Sequence, residues 1–185
     1  MIIVLHAMGG EPSGVLEMFR GYGGRARLIV PFGHPKGNMY AWYESEADAA
    51  REGDRLASWI SAVVAARPTE GKPVVTGFSQ GGIMSFVIAT THPDEISAAV
   101  PISGLLPAAL YPSAAVRSAK LPPVFAFHGA EDLAVPVSGA RASIVELQRV
   151  GYSATLREFS GIGHDTSAAE LREVFGVFER LASAR

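Results

Sequence analysis

The sequence predicts a doubly wound α/β fold: six mostly parallel strands with helices on both faces of the sheet. Three observations predict it. Short β-branched runs alternate with longer helical patterns, the mark of strand–helix–strand crossovers. The strand runs are nearly continuous in apolar character, as strands covered on both faces require. The chain has 185 residues, 48% of them apolar and 18% charged, enough for one globular domain over 1–185 and not for a second core.

The elements follow in order. Strands are expected near Ile2–His6, Ala26–Pro31, Pro73–Phe78, Ala98–Ile102, Pro123–His128 and Ala154–Phe159. A short helix, Gly14–Gly21, follows Pro12-Ser13. The longest helix is Glu46–Ala66, with Ser45 and Asp48 spaced as a capping box at its start. Gln80–Thr91 follows the third strand, Ser138–Val150 stops at Gly151 with a C-cap signal, and Thr166–Leu181 closes the chain. No repeat and no low-complexity tract interrupts the pattern. The loop Ser103–Leu121, rich in Pro and Ala, is the one long stretch without clear structure, and loops of that length in compact domains are usually functional.

Composition excludes several classes of function. With no cysteine there is no disulfide framework, thiolate metal site, iron–sulfur cluster or Cys nucleophile. A net charge of −2 argues against nucleic acid or an anionic membrane as partner. Met1–Leu5 lacks a basic flank and reads as a strand, not a signal peptide. Pro73–Pro93 and Ile96–Val116 carry no Asp, Glu, Lys or Arg and are long enough to span a bilayer. Gly, Ser, Pro or Gln breaks both. The expectation is a cytoplasmic protein, monomer or homodimer, without stable membrane insertion.

In open α/β sheets, ligands bind beyond the C-terminal ends of the strands, so the chemistry is sought there. Gly77-Phe78-Ser79-Gln80-Gly81-Gly82 leaves the third strand and opens a helix. A Gly-x-Ser-x-Gly turn in that context strains the serine backbone and projects its hydroxyl from the sheet edge. By itself the pattern also fits a plain glycine-rich turn or a phosphate cradle, although the lysine of a phosphate-binding loop is absent.

A serine nucleophile needs a base and an orienting acid, expected in the order Ser, acid, His at the ends of later strands. His164 follows the sixth strand in Gly161-Ile162-Gly163-His164. Glu131 and Asp132 both follow the fifth, after His128-Gly129, and position alone leaves them open. Asp165 adjoins His164, and adjacent side chains rarely orient one another. His34 and His92 lie beside prolines and read as structural or solvated; His128 reads as bonded to a loop backbone. An oxyanion hole needs two donors. With sheet order 2-1-3-4-5-6, the first loop, His6-Ala7-Met8-Gly9-Gly10, lies beside the third strand. The natural pair is then the amides of Met8 and Gln80.

Gly-Phe-Ser-Gln-Gly-Gly at 77–82, His-Gly-x-x-Asp at 128–132 and Gly-His at 163–164 resemble the phospholipase/carboxylesterase family of α/β-hydrolases. Pro93–Gly104 and Trp42 resemble it too, so the likeness covers nearly the whole chain. It implies an α/β-hydrolase. This chain departs from the full fold: it starts at the strand carrying the first loop, and the expectation is a minimal core without the two leading antiparallel strands or a large cap domain. The resemblance also implies Asp132 as the acid, with Glu131 a solvated loop carboxylate. The implied function is a short-chain carboxylesterase acting through an acyl-enzyme on Ser79, on a small ester or thioester substrate, with no cofactor and no metal. The alternatives are an acyl-protein thioesterase or lysophospholipase, or a non-catalytic binding protein of the same fold. Ala7 stands where the family usually has Gly. Trp42, Leu105 and Leu106, with Met8, are expected to line a short acyl groove.

Overall fold

A computed structural model describes residues 1–113 and 121–183. The middle of the expected functional loop, 114–120, lies outside the described residues. One six-stranded sheet runs through the molecule, ordered β2(Leu28–Ile29), β1(Ile2–Leu5), β5(Val74–Phe78), β6(Ala98–Ile102), β7(Val124–Gly129), β8(Ala154–Phe159). Every pair in it is parallel, in the expected order. Helices α2(Ala49–Ala66), α3(Gln80–Thr91) and α4(Val137–Arg149) cover one face, where Leu56, Ile60, Phe86, Ile88, Ile144 and Leu147 form a core with Ile3, Leu5 and Val75. Helices α1(Pro12–Met18) and α5(Ala168–Ser183) cover the other. There Val15, Phe19, Val174 and Phe178 pack on Ile2, Val4, Val100 and Phe127. Among the described residues no helix is long and apolar enough to cross a membrane.

Several boundaries differ from expectation. The second strand shrinks to Leu28–Ile29 because it is an edge with a neighbour on one side only. Helix α1 begins at Pro12, where a proline costs no hydrogen bond. The segment 33–43, where no strand is expected, holds an antiparallel hairpin of β3(His34–Lys36) and β4(Met39–Ala41), turned at Gly37, whose φ is 62°. The Ser45–Asp48 capping box is a correction. The Ser45 hydroxyl donates to the Asp48 carboxylate at 2.7 Å instead of serving the backbone, and a 3-10 turn, Glu46–Asp48, precedes α2. At the end of α4 the amides of Gly151 and Tyr152 close on the carbonyls of Gln148 and Leu147 at 3.1 and 3.0 Å, a Schellman motif.

A capping box does form at α5. The Glu170 amide donates to Ser167 Oγ at 3.1 Å, and the Ser167 amide donates to Glu170 Oε2 at 3.4 Å. The Glu170 carboxyl is fully buried, and its Oε1 has no partner among the described residues. Burial pushes its pKa from 4.5 up to about 7; the Ser167 amide opposes the shift, and the charges of Asp165 and Glu173 add to it. Between those values the unfolded chain has released a proton that the folded chain still holds. Stability therefore falls as pH rises through that window, by up to about 3 kcal/mol. Glu170→Gln keeps the box and removes the titration. Urea unfolding should find the variant close to wild type near pH 4 and more stable at pH 8; an equal difference at both pH values would reject this account.

Candidate active site

The β5–α3 junction is a sharp elbow. Ser79 sits at φ 55° and ψ −117°, a region that non-glycine residues rarely occupy, at a cost of about 1–3 kcal/mol. Close packing enforces it. A Cβ on Gly81 would lie 2.1 Å from the Leu5 carbonyl oxygen, and one on Gly77 would lie 2.6 Å from the same atom. Strand β1 thus approaches the elbow more closely than a side chain permits. The Ser79 amide donates to the Ile102 carbonyl of β6 at 3.0 Å, and the Ser79 carbonyl accepts from the Ile83 amide at 2.9 Å in the first turn of α3. The hydroxyl is left half-buried at the sheet edge.

The structure brings Ser79, His164 and Asp132 into one hydrogen-bonded line. His164 Nδ1 lies 2.7 Å from Asp132 Oδ2 and its Nε2 lies 2.9 Å from Ser79 Oγ. An ionised carboxylate only accepts, so Nδ1 carries the hydrogen and Nε2 is free to accept from the serine hydroxyl. The imidazole also lies against the Phe78 ring, 5.0 Å between centroids. Asp132 is buried, and its Oδ1 accepts from the amides of Ala134 and Val135 at 2.9 and 2.8 Å. Burial alone would raise its pKa. The hydrogen bonds from His164 and Val135 outweigh that, helped by the charges of His164 and His128, and hold it below the ordinary carboxylate value. The carboxylate therefore stays ionised beside the imidazole at neutral pH.

Two neighbours of this line had no local signal in the sequence. Fully buried His128 bonds the Val135 carbonyl at 2.8 Å, a backbone contact as expected, and its Nε2 also stands 3.3 Å from Asp132 Oδ2. Glu131 is exposed but is more than a solvated carboxylate: its Oε1 accepts from the Gly161 amide at 2.9 Å, and its amide donates to the Ile162 carbonyl at 2.9 Å. The loop of the acid thus grips the loop of the imidazole across 30 residues. His34 and His92 are structural, bonded to Glu52 at 2.8 Å and Asp54 at 2.9 Å.

The expected groove residues separate. Met8 is 61% exposed in the first loop. Leu105 is half-buried and packs at Gly139 of α4. Trp42 and Leu106 are corrections: at 2% and 1% exposed they are core side chains with little surface to offer a ligand. Leu106 belongs to the core, and its amide donates to Ser143 Oγ at 2.8 Å. Trp42 is held between the first loop and the elbow: its indole donates to the His6 carbonyl at 2.7 Å and its amide to Gln80 Oε1 at 2.8 Å. As the first residue of α3, Gln80 has a backbone N–H with no acceptor inside the helix. The first loop is tied to the hairpin again where the Gly9 amide donates to the Tyr40 carbonyl at 2.8 Å.

The model of the phospholipase/carboxylesterase family matches residues 1–179. Acyl-protein thioesterase 1 of Schizosaccharomyces pombe is 31% identical over 150 residues, 74% of this chain and 66% of that protein. Acyl-protein thioesterase 1 of Gibberella zeae is 33% identical over 107 residues, 55% of this chain and 44% of that protein. The chain spans less than half the length of some curated relatives it matches. The solved carboxylesterase of Mesorhizobium loti superposes with a TM-score of 0.85 at 16% identity, covering 96% of this chain and 87% of that one, a likeness of fold.

Proposed function

The chain belongs to the phospholipase/carboxylesterase family, and from that premise we propose that it is a serine esterase cleaving short-chain carboxylic esters through an acyl-enzyme on Ser79. One observation carries the reading: the unbroken line from Ser79 Oγ through His164 to Asp132, at 2.9 and 2.7 Å. Ser79 Oγ attacks the acyl carbon while His164 Nε2 takes its proton. Asp132 holds the tautomer and stabilises the imidazolium that forms. The amides of Met8 and Gln80 receive the charge on the carbonyl oxygen. His164 returns the proton to the leaving alcohol, and water then cleaves the acyl-enzyme by the same steps. Ester and water balance the reaction without a further group. A fluorophosphonate probe followed by peptide mass spectrometry tests this reading: an esterase is labelled at Ser79, whereas a binding protein of the same fold is not.

The site is open. The His164 side chain is 27% exposed, and Met8 of the first loop is exposed as well. With Trp42 and Leu106 in the core, the described residues offer little apolar wall for an acyl chain. Each buried methylene contributes about 0.8 kcal/mol, but only against a wall. We therefore expect kcat/KM for p-nitrophenyl esters to peak at about two to six acyl carbons. A rate still climbing at about twelve carbons, measured below the micelle threshold, would favour the thioesterase or lysophospholipase alternative instead.

A further inference from the structure

The Met8 amide belongs to the peptide that joins Ala7 to Met8. A trans peptide is planar, so its N–H points opposite to its C=O. Whatever aims the Ala7 carbonyl therefore aims the Met8 N–H. Two groups hold that carbonyl, His6 Nδ1 at 2.7 Å and the Gly10 amide at 3.0 Å. The tautomer of His6 follows from its other nitrogen. The Gly33 amide reaches Nε2 at 3.0 Å, and a backbone N–H can only donate, so Nε2 accepts and Nδ1 carries the hydrogen. The ring is fully buried, and burial holds its pKa below the usual 6.5 despite the opposing bond to the Ala7 carbonyl. It is therefore neutral at neutral pH, as both bonds require.

The second amide is tied to the same ring. Trp42 stacks on His6 with centroids 4.6 Å apart and planes 29° from parallel. The Trp42 amide holds Gln80 Oε1 at 2.8 Å, and Gln80 Nε2 donates to the Tyr43 carbonyl at 2.9 Å. The Gln80 side chain is thus clamped at two points while its backbone N–H faces the elbow from the helix start.

Building on the esterase reading above, we propose that His6 is a positioning residue of the oxyanion hole. Its Nδ1–H aims the Ala7–Met8 peptide, and Trp42 couples that peptide to Gln80, so the two donors keep one fixed spacing. The bond to the Ala7 carbonyl also polarises the peptide and strengthens its N–H as a donor. The brace is local to the oxyanion and touches neither His164 nor Asp132.

Three variants separate the two ring bonds. His6→Asn places an amide N–H near the Nδ1 position and keeps the contact with Ala7. His6→Gln reaches the Nε2 position and keeps only Gly33. His6→Phe keeps the stack and neither bond. Competent sites are counted by the stoichiometry of fluorophosphonate labelling at Ser79, so kcat is expressed per folded site. His6→Gln and His6→Phe should lose about 10²–10³ in kcat, the loss seen when an oxyanion donor is removed, with KM within about threefold. Affinity for an alkyl trifluoromethyl ketone, which forms the tetrahedral adduct, should fall in proportion. His6→Asn should stay within about tenfold of wild type. Wild-type kcat per site in His6→Gln, or equal losses in Asn and Gln, would overturn the proposal. If His6→Phe does not fold, the contrast between Asn and Gln decides alone. A wild-type chain that neither labels at Ser79 nor hydrolyses any ester is a different result, and it removes the esterase reading itself.

Discussion

Ser79→Ala should abolish ester hydrolysis by about 10⁴-fold or more while the chain stays folded. Only the hydroxyl is removed, and its hydrogen bond is the one to His164 Nε2. The backbone strain remains, because alanine carries the same Cβ at φ 55°. The elbow is held from elsewhere, by the Ser79 amide on Ile102 and by the approach of Gly81 to Leu5. The circular dichroism spectrum and thermal midpoint should therefore barely move, and the fluorophosphonate label should vanish. Residual activity would come from the oxyanion donors alone. A variant that kept a tenth of the wild-type rate would sink the nucleophile assignment, whatever the geometry suggests.

Much of this architecture was legible because it depends on local pattern and chain order. Buried parallel strands need unbroken apolar runs, and parallel crossovers place the next strand end at the same edge of the sheet. Ser79 and His164 stand out for that reason: each follows a strand, and the strands come in a workable order. The hairpin His34–Ala41 was not legible, since neither of its three-residue strands shows alternation, and its Gly37-Asn38 turn was the only cue. The capping box illustrates the limit of spacing. Ser45–Asp48 and Ser167–Glu170 have the same separation, and only in the second does the serine hydroxyl accept from a backbone amide, because the first lies in a 3-10 turn. Trp42 and Leu106 looked like groove residues because apolar side chains near a site can either line it or support it. Burial is a tertiary property, and their sequence neighbours do not reveal it. The grip of Glu131 on Gly161 and the contact of His128 with Asp132 are likewise contacts between loops, outside any local signal.

The choice between the two adjacent acids gives the second large effect. Asp132→Asn should lower kcat by about 10³–10⁴, while Glu131→Gln should stay within about threefold of wild type. The carboxamide introduced by Asp132→Asn would keep an oxygen for the amides of Ala134 and Val135 and turn an N–H toward His164 Nδ1, which itself carries a hydrogen. Two donors cannot face each other. The imidazole must then move its hydrogen to Nε2, where it points at Ser79 and cannot accept the serine proton. Rotating the amide offers no escape, because its N–H groups would then face the backbone amides of Ala134 and Val135, which also only donate. Glu131→Gln, by contrast, retains an oxygen for the Gly161 amide and changes no tautomer. Stability gives an independent check of sign. The Asp132 pKa is depressed, so its ionised form stabilises the fold above the unfolded value, and that contribution is lost as pH falls through the folded one. Asp132→Asn should therefore lower the thermal midpoint at pH 7 and lower it less in strong acid. If Glu131→Gln instead produced the steep kinetic loss and Asp132→Asn the mild one, the imidazole would be oriented by the other carboxylate, and the line from Asp132 to Ser79 would be packing without chemistry.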